Sequence, residues 1–139
     1  MFSQTTEYAL RTIVYLATQN GAPRTTRQIA EAARIPAGYL SKVLQVLVRA
    51  KIVNSQRGVN GGFTLARPPD ELSALDVINA VDPIRRIERC PLGLESHGAK
   101  LCPLHRRLDG AIALVEKALA ETRISDLLGG RSRRKPFCE

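Results

Sequence analysis

Residues 35–67, IPAGYLSKVLQVLVRAKIVNSQRGVNGGFTLAR, change hydrophobic period halfway along, and few small folds accommodate that change. In the first half Leu40, Val43, Leu44, Leu47 and Val48 recur at i, i+3, i+4, i+7 and i+8, the apolar face of an amphipathic helix. The second half carries the β-branched pair Ile52-Val53, a glycine-rich run over 57–62 and the alternating Phe63-Thr64-Leu65. That pattern predicts a strand, a tight turn and a second strand. A helix leading directly into a basic β-hairpin predicts a winged helix-turn-helix: a mainly α fold with a small β-hairpin wing.

The upstream sequence supplies the rest of such a unit. Residues 5–20 predict a first helix with Tyr8, Ile13, Val14, Leu16 and Ala17 on one side and Thr5 or Thr6 as its N-cap. Gly21-Ala22-Pro23 stops it, residues 25–33 predict a second helix with Thr26 as cap, and Ile35-Pro36 makes the turn. The third helix, 37–50, turns Leu40, Val43, Leu44 and Leu47 inward and presents Gly38, Tyr39, Ser41, Lys42, Gln45 and Arg49 outward.

A helix of this size fits the major groove of DNA with its first residues toward the base edges, which makes Tyr39, Ser41 and Lys42 the foremost candidate readers. Arg57 stands at the mouth of a turn built on Gly58, Gly61 and Gly62, where little side-chain bulk would separate backbone from DNA, and it is a candidate for the minor groove. Thr26 and Arg27 at the second helix, Gly38 and Gln45 on the third, and Asn60 in the turn complete the DNA-facing set. An outward polar face also belongs to any surface helix, and tight hairpins need glycine with or without DNA. Helix, turn, helix and basic hairpin within about 45 residues form the more specific signal.

Charge agrees with a polyanionic partner. The formal net charge is +8, and residues 1–70 hold nine Lys/Arg against three acids while residues 71–139 hold twelve against ten. The positive excess therefore lies with the predicted winged helix, where phosphate neutralisation needs it. Trp is absent and aromatic residues make up 4% of the chain, so the core is expected to be aliphatic. No apolar run reaches the roughly 18 residues of a membrane span, and Met1-Phe2-Ser3-Gln4 lacks the parts of a signal peptide. A cytoplasmic location without a membrane partner is expected, and there the three cysteines read as ligands, redox sensors or buried thiols before structural disulfides.

Downstream, Pro68-Pro69 breaks the chain and Ser73 caps a short helix with Leu75, Ile78 and Val81 inward. From Leu104 onward Leu108, Ile112, Val115 and Leu119 keep helical spacing over several turns. A helix this apolar at the end of a small domain needs a partner, and in a protein that binds twofold DNA sites the same helix of a second subunit is the simplest one. The expected organisation is a DNA-binding domain over 1–82, a cysteine/histidine segment over 83–105, a dimerisation helix and C-terminal helix over 106–128, and a basic tail over 129–139.

Cys90, His97, Cys102 and His105 fall within 16 residues, and both histidines of the chain are among them. Thiol and imidazole so clustered suit a metal or iron-sulfur site, and four such ligands would also suit tetrahedral zinc. Buried cysteines beside exposed loop histidines are the plainer alternative. An enzyme using Cys102 and His105 as nucleophile and base is disfavoured, because no separate orienting acid or oxyanion loop accompanies them.

These segments together resemble the IscR/NsrR-type (Rrf family) winged-helix regulators. The likeness is carried by TTEYALRTIVYLA, IPAGYLSKVLQVLVRAKIV, NSQRGVNGGFTLAR, LSALDVINAVD and the Cys90-to-His105 segment before a helix ending in ISDLL. The resemblance implies a homodimeric transcription regulator, usually a repressor of a palindromic operator in double-stranded DNA, carrying an iron-sulfur cluster of the 2Fe-2S kind. Cluster-binding members have Cys-x5-Cys-x5-Cys-x2-His. Cys90, Cys102 and His105 keep the outer spacing, while Ser96 replaces the middle cysteine with His97 beside it. Some members use an acidic residue of the first helix given by the partner subunit, and Glu7 occupies that position. The implied ligands are Cys90, Cys102 and His105, with His97 or Glu7 completing the set, and Tyr39 and Arg57 match the family's DNA-contact positions. A zinc- or thiol-responsive regulator of the same fold, without a cluster, is the alternative.

Overall fold

The structure is a computed structural model that describes residues 2–88, 92 and 102–128. Cys90, His97 and the basic segment 129–139 lie outside the described residues. The element order is α1 (Gln4–Ala17), α2 (Thr26–Ala33), α3 (Ala37–Arg49), β1 (Val53–Gln56), β2 (Gly62–Leu65), α4 (Ala74–Val81), α5 (Pro103–Glu121) and α6 (Ile124–Leu127).

α1 begins two or three residues earlier than its threonines predict. Ser3 is the N-cap, accepting the N–H of Thr6 at 3.2 Å, and Thr6 itself is buried. The helix ends at Ala17 rather than Asn20, because Asn20 and Gly21 both take positive φ, 53° and 83°. α2 is capped by Thr25, not Thr26: the Thr25 hydroxyl accepts the N–H of Gln28 while the Gln28 side chain accepts the N–H of Thr25, a reciprocal capping box. Arg34 closes α2 in the left-handed region at φ 57°, and Pro36 is the N-cap of α3. The bend between the two helices thus rests on an arginine where glycine is the usual choice.

β1 and β2 pair antiparallel with Val53 opposite Leu65 and Gln56 opposite Gly62. A third backbone joins them: Arg24, just before α2, exchanges hydrogen bonds with Phe63, donating at 3.1 Å and accepting at 2.8 Å. The wing is therefore tied to the start of α2. Gly62 permits this approach, since its φ is +147° and a Cβ there would stand 2.6 Å from the Arg24 carbonyl oxygen.

α1, α2, α3 and the first wing strand enclose an aliphatic core in which Ile13, Ile29, Leu40, Leu47 and Leu44 are almost entirely buried. Ser73 caps α4 in a second capping box, with Asp76. The buried face of α4 is Ala74, Val77 and Ile78, whereas Leu75 and Val81 are half-buried, a rotation of the expected face by about one residue. The apolar run after Leu104 divides at Thr122, whose extended backbone separates α5 from α6. Ile124 of α6 is fully buried and joins the core, and the α6 backbone hydrogen-bonds back to residues 69 and 72. α4 packs on α1, α3 and α5 and so connects the long helix to the winged unit.

Candidate nucleic-acid interface

α3 exposes the residues its period predicts. Gly38, Tyr39, Ser41, Lys42, Gln45 and Arg49 all face solvent, while Leu40, Val43, Leu44 and Leu47 are buried. Between α3, the start of α2 and the wing runs a groove of about 500 Å³ lined by Thr26, Ser41, Gln45, Arg49, Ser55 and Arg57, with Leu44, Val48 and Phe63 at its floor. Four candidates from distant parts of the sequence, Thr26, Ser41, Gln45 and Arg57, meet there. Arg57 is exposed just beyond β1, so its cation is free to swing toward a phosphate or a groove edge.

Arg49 and Ser55 join this groove without having been singled out as contact residues. Arg49 lies four residues past Gln45 and eight past Ser41, on one stripe of the helix, and Ser55 is two residues before Arg57 along the strand direction. Periodicity carried both signals once the groove's direction was known.

The remaining candidates lie outside this groove. Arg27 is exposed and forms a 3.3 Å ion pair with Glu31, one turn on, so it reaches DNA only by exchanging that partner. Asn60 is exposed at the wing tip. Tyr39 differs from a freely projecting reader. Its hydroxyl hydrogen-bonds the Thr5 hydroxyl, and its ring meets that of Tyr8 edge-on, 5.1 Å between centroids at 80°. Arg11 sits over the Tyr8 ring at 5.7 Å. Tyr39 therefore braces α3 against α1 while 37% of its surface stays exposed.

The second candidate site lies at the start of α5. Cys102 and His105, placed by the spacing in a loop, stand on the first helical turn: Cys102 is the N-cap, Pro103 follows at the first helical position, and the Cys102 sulfur accepts the N–H of His105 at 3.2 Å. Both are buried. Nε2–H of His105 donates to the Ile87 carbonyl at 2.5 Å, leaving Nδ1 as the ring's other nitrogen. The Ile87 N–H donates to Asp109 Oδ1 at 3.0 Å, and Arg86 clasps the same carboxylate through two bonds, 2.7 and 2.6 Å, with Glu116 at 3.6 Å behind it. Arg86 holds the Asp109 carboxyl down to about 2, with the Ile87 N–H and the charge of His105 acting in the same direction, and the pair raises Arg86.

Glu7 is exposed in the first turn of α1 and does not join Cys102 and His105 within one chain; among the described residues no three His, Cys, Asp or Glu side chains gather around a common point. Among the described residues no helix is long and apolar enough to cross a membrane.

Comparison with known proteins places this geometry. The Rrf2 family, described as iron-dependent transcriptional regulators, matches residues 2–130. A protein of Aquifex aeolicus described as an HTH-type transcriptional regulator is 29% identical over 131 residues, 92% of this chain and 91% of its own length. A Mycobacterium tuberculosis protein with a like description is 34% identical over 126 residues, covering 89% of this chain and 78% of that one. Among solved structures, CymR of B. subtilis superposes with a TM-score of 0.77 at 24% identity over 95% of this chain and 98% of its own. IscR of T. potens does so with a TM-score of 0.78 at 21% identity over 100% of this chain and 93% of its own. These two bear on the fold, and the descriptions of family and relatives are of regulators, not enzymes. The chain belongs to the Rrf2 family of DNA-binding, winged-helix transcription regulators.

Proposed function

We propose that the protein is a cytoplasmic, homodimeric repressor of a palindromic operator whose DNA affinity is set at Cys102 and His105 by an iron-sulfur cluster, of the 2Fe-2S kind. The observation that carries this is the hydrogen bond from the His105 ring to the Ile87 carbonyl. A ligating imidazole characteristically donates its other ring N–H to a carbonyl or carboxylate, which fixes ring orientation. His105 does this with Ile87, one helical turn from a buried cysteine. Thiol and imidazole are donors that fit such a centre. Cys90 supplies the third ligand in this reading, with His97 or a Glu7 given across the dimer as the fourth. When bound, the cluster supplies an oxidation-sensitive charge whose change or loss is the signal.

The chain's own residues supply the transmission. His105 and Asp109, one turn apart on α5, grip the carbonyl and the N–H of Ile87, so a shift of the first turn moves the segment after α4 with it. α4 in turn packs on α1 and α3. Dimerisation has support from α5, on which Leu104 and Leu108, one turn apart on one face, stay 39% and 41% exposed in one chain and Leu114, off that face, 71%, apolar surface that a second copy would cover. On the DNA side Thr26, Ser41, Gln45 and Arg57 line the groove, Tyr39, Lys42 and Gly38 present the start of α3, and Arg27 and Asn60 flank it.

Iron, sulfide and zinc analysis of protein prepared without oxygen tests the sensor. Stoichiometric iron and sulfide that disappear in Cys102→Ala support the cluster. Stoichiometric zinc supports the zinc-responsive alternative, which the missing middle cysteine at Ser96 favours. Colourless protein without metal leaves a thiol switch and overturns the cluster.

A further inference from the structure

The first turn of α3 is weakly held by its own residues. Proline at the N-cap, Pro36, has no side-chain acceptor for the first N–H groups of the helix, and Gly38 within the turn is a poor helix former. Ser41, one turn on, only bonds back to the Ala37 carbonyl at 3.1 Å. Two neighbouring residues fasten the turn to the rest of the protein. Leu40 anchors its inner side in the core. Tyr39 anchors its outer side to α1: its hydroxyl hydrogen-bonds that of Thr5, 34 residues earlier, and its ring meets the Tyr8 ring edge-on. Tyr8 is itself held, since its hydroxyl accepts from the Gln4 side-chain amide at 2.8 Å.

From this arrangement we infer that Thr5, a residue outside the DNA-facing set, is a positioning residue for DNA recognition: acting through Tyr39, it fixes the first turn of α3 against α1 in the setting from which Gly38, Ser41 and Lys42 meet base edges. The inference rests on the DNA-binding reading and deepens it. Location separates this role from a merely structural one. Thr5 is half-buried and Tyr39 is 37% exposed, so water can replace the lost partner and breaking the bond costs global stability little. Chemistry separates it from a phosphate contact. The Thr5 hydroxyl is engaged with Tyr39 and brings no charge to displace counterions, so the salt dependence of binding does not depend on it. Base-edge contacts carry the sequence information and require α3 to lie in one place. Loss of the Thr5 hydroxyl is therefore read in discrimination between DNA sequences.

The test uses the full-length protein, a duplex that the unaltered protein selects from a random pool, and a mixed-sequence duplex of equal length. Thr5→Val keeps the side-chain shape without the hydroxyl, Tyr39→Phe removes the other half of the bond, and Thr5→Ser keeps the hydroxyl. Thr5→Val and Tyr39→Phe are each expected to bind the selected duplex about threefold to tenfold more weakly, with the mixed-sequence affinity, salt slope and thermal midpoint unchanged. The double variant is expected to be no weaker than either single one, and Thr5→Ser to bind as the unaltered protein does. Full affinity of Thr5→Val for the selected duplex overturns the inference, and a loss in Tyr39→Phe alone makes that hydroxyl a direct DNA contact instead. Costs that add in the double variant overturn it, as does a shallower salt slope in Thr5→Val, which would make Thr5 a phosphate contact. A lowered thermal midpoint with both duplexes weakened alike assigns Thr5 to stability alone and overturns it too. In each of these cases the DNA reading stands provided that Arg57→Ala still weakens binding. Failure of the unaltered protein to bind any duplex overturns both.

Discussion

His105 and Ile87 are joined by a 2.5 Å hydrogen bond from Nε2 to the backbone carbonyl, and the imidazole that makes it is buried. The bond ties the first turn of α5 to the segment after α4, so it belongs to the fold as well as to a sensor. His105→Ala removes the donor and the ring together, leaving a carbonyl unsatisfied. Metal-free His105→Ala is expected to lose about 1–3 kcal/mol in urea denaturation, whereas Arg106→Ala, exposed beside it, changes stability by less than about 0.5 kcal/mol. Equal denaturation midpoints for His105→Ala and the unaltered protein would show that the bond does not form.

The Asp109 clasp gives a pH dependence whose sign is determined. Its folded-state value of about 2 lies below the ordinary 3.8, so the charged carboxylate favours the folded form above about pH 4 and that contribution is lost as pH falls toward 2. Denaturation midpoints of the unaltered protein and Asp109→Asn are therefore expected to differ above pH 4 and to converge between about pH 4 and pH 2. A gap that persists unchanged through that window would place the linkage elsewhere.

The wing gives a paired prediction. Gly58 and Gly62 both have positive φ, +112° and +147°, but a Cβ on Gly58 would meet nothing within 4 Å while one on Gly62 would meet the Arg24 backbone. Gly58→Ala is expected to cost about 1 kcal/mol, and Gly62→Ala about 2–3 kcal/mol with faster hydrogen exchange at the Phe63 N–H. Equal costs would mean that the wing is not held against the residue before α2.

Much of this organisation was legible because it depends on local pattern. The buried face of α3, the hairpin and the Ser73 cap follow from periodicity, glycine placement and hydroxyl position. The errors concern choices among equivalent neighbours. Thr25 and Thr26 both cap well, and the reciprocal bond to Gln28 decides for Thr25. Ser3 precedes two threonines that could serve as well, and Thr6 is drawn into the core instead. The tie between Arg24 and Phe63 and the clasp of Arg86 on Asp109, 23 residues apart, are tertiary, and no spacing rule announces them. The groove required a third dimension too: Arg49 and Ser55 look like ordinary surface residues until α3 and β1 are set side by side.

On DNA, Arg57→Ala is expected to weaken binding to a duplex and lower the salt slope by about 1, with no change in thermal stability, since Arg57 is exposed. An unchanged slope would remove Arg57 from the phosphate or groove contacts.

The most direct test of the whole account is DNA affinity measured on one anaerobic preparation before and after iron is removed with a chelator, with Cys102→Ala in parallel. The predicted result is a change of about tenfold or more in the unaltered protein, a coupling of about 1.4 kcal/mol or more between metal site and DNA face, and no change in Cys102→Ala. Equal affinities before and after iron removal, in a protein shown to have held iron, would contradict control of the winged helix from Cys102 and His105.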